Sequence, residues 1–185
     1  IDEAIAGFAT EVNVTLLADG GVCVEDNGRG IPVGIVEKTG KSALETVLTV
    51  LHAGGKFGGG GYKVSSGLHG VGISVVNALS TKLHAEVHTE GGVFVQDYER
   101  GVPLAPIKKV GKTDKTGTTI TFHPDETIFK ETVTFDYNWV TDYLRHQAYL
   151  TKGVKTSVID ERTGERCSFY FEGGIQSYVR HLNLG

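Results

Sequence analysis

The sequence has no methionine, two cysteines, one tryptophan, no apolar run long enough to cross a bilayer, and no surplus of basic charge. Each shortage closes off a class of protein. A membrane helix needs about 18 or more consecutive apolar residues, and no stretch approaches that. No charged and apolar leader opens the chain either. A domain that grips nucleic acid by itself carries excess lysine and arginine. Here 18 basic residues face 22 acidic ones, a formal charge of −4, so any nucleic-acid contact is expected from other parts of a larger protein. Cys23 and Cys167 stand far apart in strand-like segments. They are too few for a disulfide scaffold and read as reduced, buried thiols of a cytoplasmic protein. A start at Ile1 with no Met anywhere reads as a fragment whose beginning is removed or disordered.

What is abundant is glycine, 26 of 185 residues, about twice the ~7 % average. The glycines cluster. Otherwise the composition, 39 % hydrophobic and 22 % charged, is that of a soluble globular protein. The length, 1–185, suits one compact domain, which at this size buries roughly 70 % of its unfolded surface and needs no staples.

Apolar residues at 1, 4, 5 and 8 predict the last turns of a helix. Glu11 to Leu17 alternates, Asp19-Gly20-Gly21 turns the chain, and Val22-Cys23-Val24 completes a hairpin. Ser42-Ala43-Leu44-Glu45 is a capping box before a helix carrying Leu44, Val47, Leu48 and Leu51. Glycines dominate from Ala53 to Gly72, and a helix follows over Ile73 to Leu79. Strands are expected near 81–89, 93–99, 105–110 and 117–123. Asp136 caps a helix presenting Trp139, Val140, Tyr143, Leu144 and Leu150, with Trp139 and Tyr143 reading most simply as core. A hairpin near 154–160 and 166–172 turns at Arg162-Thr163-Gly164, and a short helix spans Ile175 to Leu182. Successive strands in meanders predict an α+β, two-layer sandwich: a mixed, mostly antiparallel sheet with helices on one face.

Two segments carry chemistry. Asp26 ends a strand and is followed by Gly28-Arg29-Gly30. A carboxylate there can accept a hydrogen bond from an exocyclic amine, the mark of adenine, and the glycines let a flat ring approach the backbone. On these residues alone a turn is the simpler reading. Gly67-Leu68-His69-Gly70-Val71-Gly72 leads into a helix, where freed backbone N–H groups suit an anion. The segment is neither a Walker loop nor a Rossmann fingerprint, because it runs G-x-x-G-x-G and no strand feeds it. Gly58 to Gly61 reads as a floppy surface loop.

Together these strings resemble the GHKL family of ATPases, and within it the ATP-binding domains of type IIA DNA topoisomerases. The resemblance runs through Ile1 to Ala4 with Ala6-Gly7, Glu25 to Pro32, Thr49 to Phe57, Tyr62 to Ser65 and Gly67 to Gly72. It continues through Val75 to Ser80, Lys115 to Thr118 and Tyr170 to Gly174, almost the whole chain in order. It implies that Asp26 binds adenine, with Thr118 beside it through an ordered water, and that Gly28 and Gly30 make room for the purine. Arg29, Ile31 and Pro32 would line the outer wall, Arg29 pairing with Glu3 across the mouth. Gly54 and Gly55 would open a lid, Lys56 would reach toward the phosphates, and Gly67, Leu68, His69, Gly70, Val71, Gly72 and Ile73 would wrap the triphosphate. The implied cofactors are ATP and Mg2+. The implied partners are an A-type topoisomerase subunit, DNA, and a second copy of the ATP-binding protein in an ATP-dependent dimer. The family's general-base Glu and magnesium-ligating Asn are expected upstream of Ile1, so no catalytic residue is assigned and Glu3 and Asp2 are not promoted to that role. Turnover by this stretch alone is therefore expected to be poor, while nucleotide or ATP-competitive inhibitors bind.

Two positions depart from the pattern: Ser66 stands where the lid usually has Gly, and Thr89 where many members carry an Arg used against coumarin-type inhibitors. His84 and His88 share a strand face without further ligands and read as solvent-facing rather than metal-binding. Asn13-Val14-Thr15 is a chance sequon. Lys108, Lys109, Lys112 and Lys115 read as a solvated edge, with DNA contact as the lesser alternative. The rival functions are another GHKL member, a nucleotide-binding module without its own turnover, and a domain that binds no nucleotide.

Overall fold

The computed structural model describes residues 1–51 and 71–183. In chain order the elements are α1 (Asp2–Ile5), β1 (Glu11–Leu16), β2 (Val22–Asp26), β3 (Ile35–Val36), β4 (Lys41–Ser42), α2 (Ala43–Thr49) and α3 (Gly72–Ala78). Then come β5 (Ser80–Thr89), β6 (Gly92–Glu99), β7 (Val102–Pro103), β8 (Lys108–Lys112), β9 (Gly117–Pro124), α4 (Tyr137–Leu150), β10 (Lys155–Asp160), β11 (Arg166–Tyr170) and α5 (Ile175–Asn183). Nine strands form one sheet in the order β11-β10-β1-β2-β9-β5-β6-β7, with β8 also on β6; β3 and β4 make a separate hairpin. The pairings are antiparallel except β1 with β10. That is the mixed, mostly antiparallel sheet the meanders predict. No described helix is long and apolar enough to cross a membrane.

Strand alternation explains why one face is covered. Val14 pairs with Val24, Val24 with Ile120 and Ile120 with Ala85, so these apolar side chains share a side. Leu44 and Leu48 of α2 pack there against Leu83, Ala85 and Val87, and Ile73 and Val76 of α3 join them. Val140 and Leu144 of α4 pack on Val14, Leu16, Val22 and Val158 of the same side. The intervening positions, among them Asn13, Thr15, Glu25, Thr121, His84 and His88, form the polar opposite face.

Caps behave largely as the sequence directs. Ser42 Oγ accepts from Glu45 N–H at 3.0 Å and Asp136 Oδ1 from Trp139 N–H at 2.7 Å. The capping box is half formed, because the Glu45 carboxylate turns to Lys41 and Gln96 instead, at 2.9 and 3.0 Å. Burial of Tyr98, with that charge beside it, raises the phenol's pKa.

Four expectations need correcting. Trp139 and Tyr143 are 67 % and 49 % exposed and stack on each other at 5.8 Å. The buried stripe of α4 is Val140, Leu144 and Ala148, and an aromatic pair one position earlier faces outward. Cys23 and Cys167 are unpaired but only half-buried, since Cys23 lies on the open face and Cys167 on the outermost strand. The strand expected from 105 begins at Lys108, after Pro103 and Pro106, which have no N–H to give a ladder. The helical turn expected to reach Phe8 stops at Ile5, with Gly7 at φ +81° just beyond it.

Candidate functional site

Asp26 is the last residue of β2 and projects to the helix-covered side, paired with Thr118 of β9. Burial pushes its carboxyl pKa up. The Gly28 N–H, donating to Oδ1 at 2.8 Å, pulls in the opposite direction, and Glu3 nearby adds to the rise. Such a carboxylate is poorly solvated, so a ligand donor meeting it gains more than it would in water.

The following turn folds over the strand ends. Ile31 N–H donates to Thr118 Oγ1 at 3.3 Å, so the threonine is tied to the turn as well as to Asp26. Gly30 has φ +78°, and a Cβ there would strike the His88 carbonyl of β5. A Cβ on Gly28 would meet the Glu3 and Asp26 carboxylates at 2.8 and 2.9 Å. Both glycines thus serve close packing within the protein, a physical reason distinct from the room for a purine that the motif suggests.

Glu3 of α1 grips Arg29 twice, at 2.9 Å to Nη2 and 3.2 Å to Nε, and also accepts the Arg29 backbone N–H at 2.9 Å. The guanidinium lies 3.6 Å from the Phe8 ring centroid. The pair expected at the mouth therefore forms, with an aromatic platform that no motif singles out. Pro32 is exposed and Ile31 half-buried beside the core.

Other residues support this arrangement without having stood out. Asn27 Oδ1 accepts from both Thr10 and Glu11 N–H at 2.9 Å, and its Nδ2 donates to Thr10 Oγ1 at 2.8 Å, pinning the α1–β1 link beside Asp26. Its sequence signal is an Asn directly after a strand. Asn77, fully buried, donates to the Leu48 carbonyl at 2.9 Å and joins α3 to the end of α2. An amide inside an apolar stripe, Val75-Val76-Asn77-Ala78-Leu79, is its only mark.

Val71 and Gly72 open α3, whose start has no side-chain cap, and Ile73 packs against the core. Gly54, Gly55, Lys56, Ser66, Gly67, Leu68, His69 and Gly70, with Gly58 to Gly61, lie outside the described residues. His84 contacts Asp97 at 2.7 Å, and His88 contacts Glu86 at 2.9 Å and Thr113 at 3.2 Å. Both rings are partly exposed on the open face. Among the described residues no three His, Cys, Asp or Glu side chains converge as a metal site would require.

The sheet order, its single-sided helix cover and the carboxylate at the end of β2 make this a GHKL-type ATP-binding fold. The chain belongs to the histidine kinase-, DNA gyrase B-, and HSP90-like ATPase family, whose pattern matches residues 1–128. It is 57 % identical over 184 residues to the DNA gyrase B protein of Halalkalibacterium halodurans, covering 99 % of this chain and 29 % of that protein. The DNA gyrase B protein of Streptococcus pneumoniae serotype 4 is 54 % identical over 185 residues, with 99 % and 28 % covered. The crystal structure of the 43K ATPase domain of Thermus thermophilus gyrase B, in complex with an aminocoumarin, matches with TM-score 0.85 at 40 % identity. That match covers 98 % of this chain and 45 % of the other. The chain spans under a third of the length of the curated relatives it matches.

Proposed function

We propose that the chain is the ATP-binding module of a bacterial type IIA DNA topoisomerase, from its gyrase B or topoisomerase IV B protein, acting in the cytoplasm. In the whole protein, nucleotide held here closes a dimer of two such ATP-binding proteins and drives strand passage through DNA, in complex with a gyrase A or topoisomerase IV A-type subunit. The observation that carries the reading is the partly buried Asp26 carboxylate, with Oδ1 held by Gly28 at 2.8 Å. Its Oδ2 is the atom for an adenine amine.

Each residue then has a task. Asp26 selects the base and Thr118 fixes both Asp26 and the turn. Ile31 and Pro32 wall the pocket, with Gly28 and Gly30 holding the turn tight beneath them. Glu3 positions Arg29 at the mouth; being committed to that cation, it is a positioning residue and not a general base. Val71, Gly72 and Ile73 open α3 where the polyphosphate lies, and its uncapped start supports that role. Gly54, Gly55, Lys56, Gly67, Leu68, His69 and Gly70 form the lid on the strength of their motif. ATP supplies the phosphoryl bond whose hydrolysis powers the cycle. Mg2+ accompanies the nucleotide, and no described side chain is assigned to it.

A thermal-shift titration with AMP-PNP, with GMP-PNP as control, tests the reading. Stabilisation by the adenine nucleotide alone is expected. Equal shifts with both, or none with either, overturn it.

A further inference from the structure

A closed ring of hydrogen bonds surrounds the peptide that aims Asp26. The β1–β2 ladder runs as far as Val12 and Asp26. One residue further on, the Asn27 N–H reaches the Glu11 carbonyl only at 3.4 Å, and the Asn27 side chain takes over the join. Its Oδ1 accepts from Thr10 and Glu11 N–H at 2.9 Å each, and its Nδ2 donates to Thr10 Oγ1 at 2.8 Å. Thr10 is also held from its other side, its carbonyl accepting from Lys155 N–H at 2.9 Å. From Thr10 the chain runs back through Ala9, 2 % exposed and packed with Ala4, Val12 and Val154. Phe8 and Ala9 N–H both donate to the Glu3 carbonyl, at 2.8 and 3.0 Å. The Glu3 carboxylate then accepts the Arg29 N–H at 2.9 Å. The ring thus leaves the chain at Asn27 and rejoins it at Arg29, with Gly28 alone between the two attachments.

Gly28 is the residue whose N–H holds Asp26 Oδ1, at 2.8 Å. Such a bond weakens steeply as its angle closes, so a tilt of this one peptide frees the carboxylate to turn. With the peptide held, Oδ2 meets the pocket in a single orientation. Asn27 is exposed, and all three of its side-chain bonds go to Thr10 and Glu11. It acts on the base through Gly28 and Asp26.

We propose that Asn27 is a positioning residue for base recognition. Its carboxamide fixes one end of the Gly28 peptide, Glu3 fixes the other, and together they set the direction of the Asp26 carboxylate. Only that last step rests on the reading of Asp26 given above. The hold on Gly28 is tested by itself.

Hydrogen exchange of the Gly28 N–H, followed by NMR without ligand, measures the hold. In Asn27→Ala this amide is expected to exchange at least about tenfold faster than in the wild type, while Val14 and Val24 in the middle of the hairpin keep their rates. Asn27→Asp keeps an acceptor for both N–H groups and is expected to restore the protection. Calorimetry at pH 8 measures the consequence. AMP-PNP is expected to bind Asn27→Ala about tenfold more weakly, and its inosine counterpart, which has no 6-amino group to lose, as well as it binds the wild type. Asn27→Asp should keep the wild-type preference for the adenine nucleotide. Equal losses for both nucleotides would mark Asn27 as merely structural and overturn the role, as would an unchanged Gly28 exchange rate in Asn27→Ala. Should that variant not fold, Asn27→Ser carries the same expectations, its hydroxyl being too short to bridge both N–H groups. If the wild type binds no AMP-PNP, the Asp26 reading falls, and the exchange rates still decide the hold on Gly28.

Discussion

Replacing Asp26 with Asn should move nucleotide affinity and ligand-free stability in opposite directions. Oδ1 of Asp26 accepts the Gly28 N–H at 2.8 Å, and an Asn that keeps this bond must aim its NH2 at the ligand, donor against donor. Flipping the amide restores an acceptor for adenine but abandons Gly28. Either way one charge-assisted bond is lost, worth about 1.5–3 kcal/mol, or roughly 10- to 150-fold in Kd. Stability runs the other way. Burial raises the Asp26 pKa above its ordinary 3.8, so its contribution is full below that value and is lost as pH rises through the raised folded value. At pH 7 the charge is a cost that Asn removes. Urea unfolding should therefore give a higher midpoint for the variant at pH 7, with the gap narrowing toward pH 4, while calorimetry with AMP-PNP shows the weakened binding. A variant less stable at pH 7 that binds AMP-PNP normally would refute this reasoning.

Gly30→Ala forces a side chain into φ +78° against the His88 carbonyl and should cost more than about 1 kcal/mol in urea unfolding. Because Tyr143 faces solvent and Leu144 is 4 % exposed, Tyr143→Ala should stay within about 0.5 kcal/mol of wild type. Leu144→Ala should lose about 2–5 kcal/mol, and similar losses from both would put Tyr143 in the core. Acid sensitivity follows from two carboxylates held below their usual range. Asp160 is held down by Arg162, and Asp125 by the Thr127 hydroxyl and N–H and then by Arg100. Their stabilisation is present above pH ~3.8 and lost as pH falls through the depressed values, so Asp160→Asn should flatten the decline in urea midpoint below pH 4. A decline as steep as that of the wild type would remove Asp160 from that account.

Much of this fold is written in local pattern. The alternation from Glu11, the Asp19-Gly20-Gly21 turn and the strand into Asp26 form the hairpin as expected, because period-two apolarity and a glycine turn act on neighbouring residues. The Ser42 and Asp136 caps are equally local. What stayed hidden depends on distant partners. Trp139 at helical spacing cannot be told from core until the sheet selects the face led by Val140 and Leu144. The β3–β4 hairpin pairs only two residues on each strand, too few to show alternation. Gly28 and Gly30 announce a turn, but that they yield to Glu3, Asp26 and His88 emerges only when α1 and β5 are brought alongside.

The central claim is that a single carboxylate recognises the 6-amino group of adenine. Calorimetry comparing AMP-PNP with its inosine counterpart, in which a 6-oxo group replaces the amine and N1 carries a hydrogen, measures this directly. The inosine compound should bind at least about tenfold more weakly, because its carbonyl meets Asp26 acceptor to acceptor. Equal affinities would contradict the assignment.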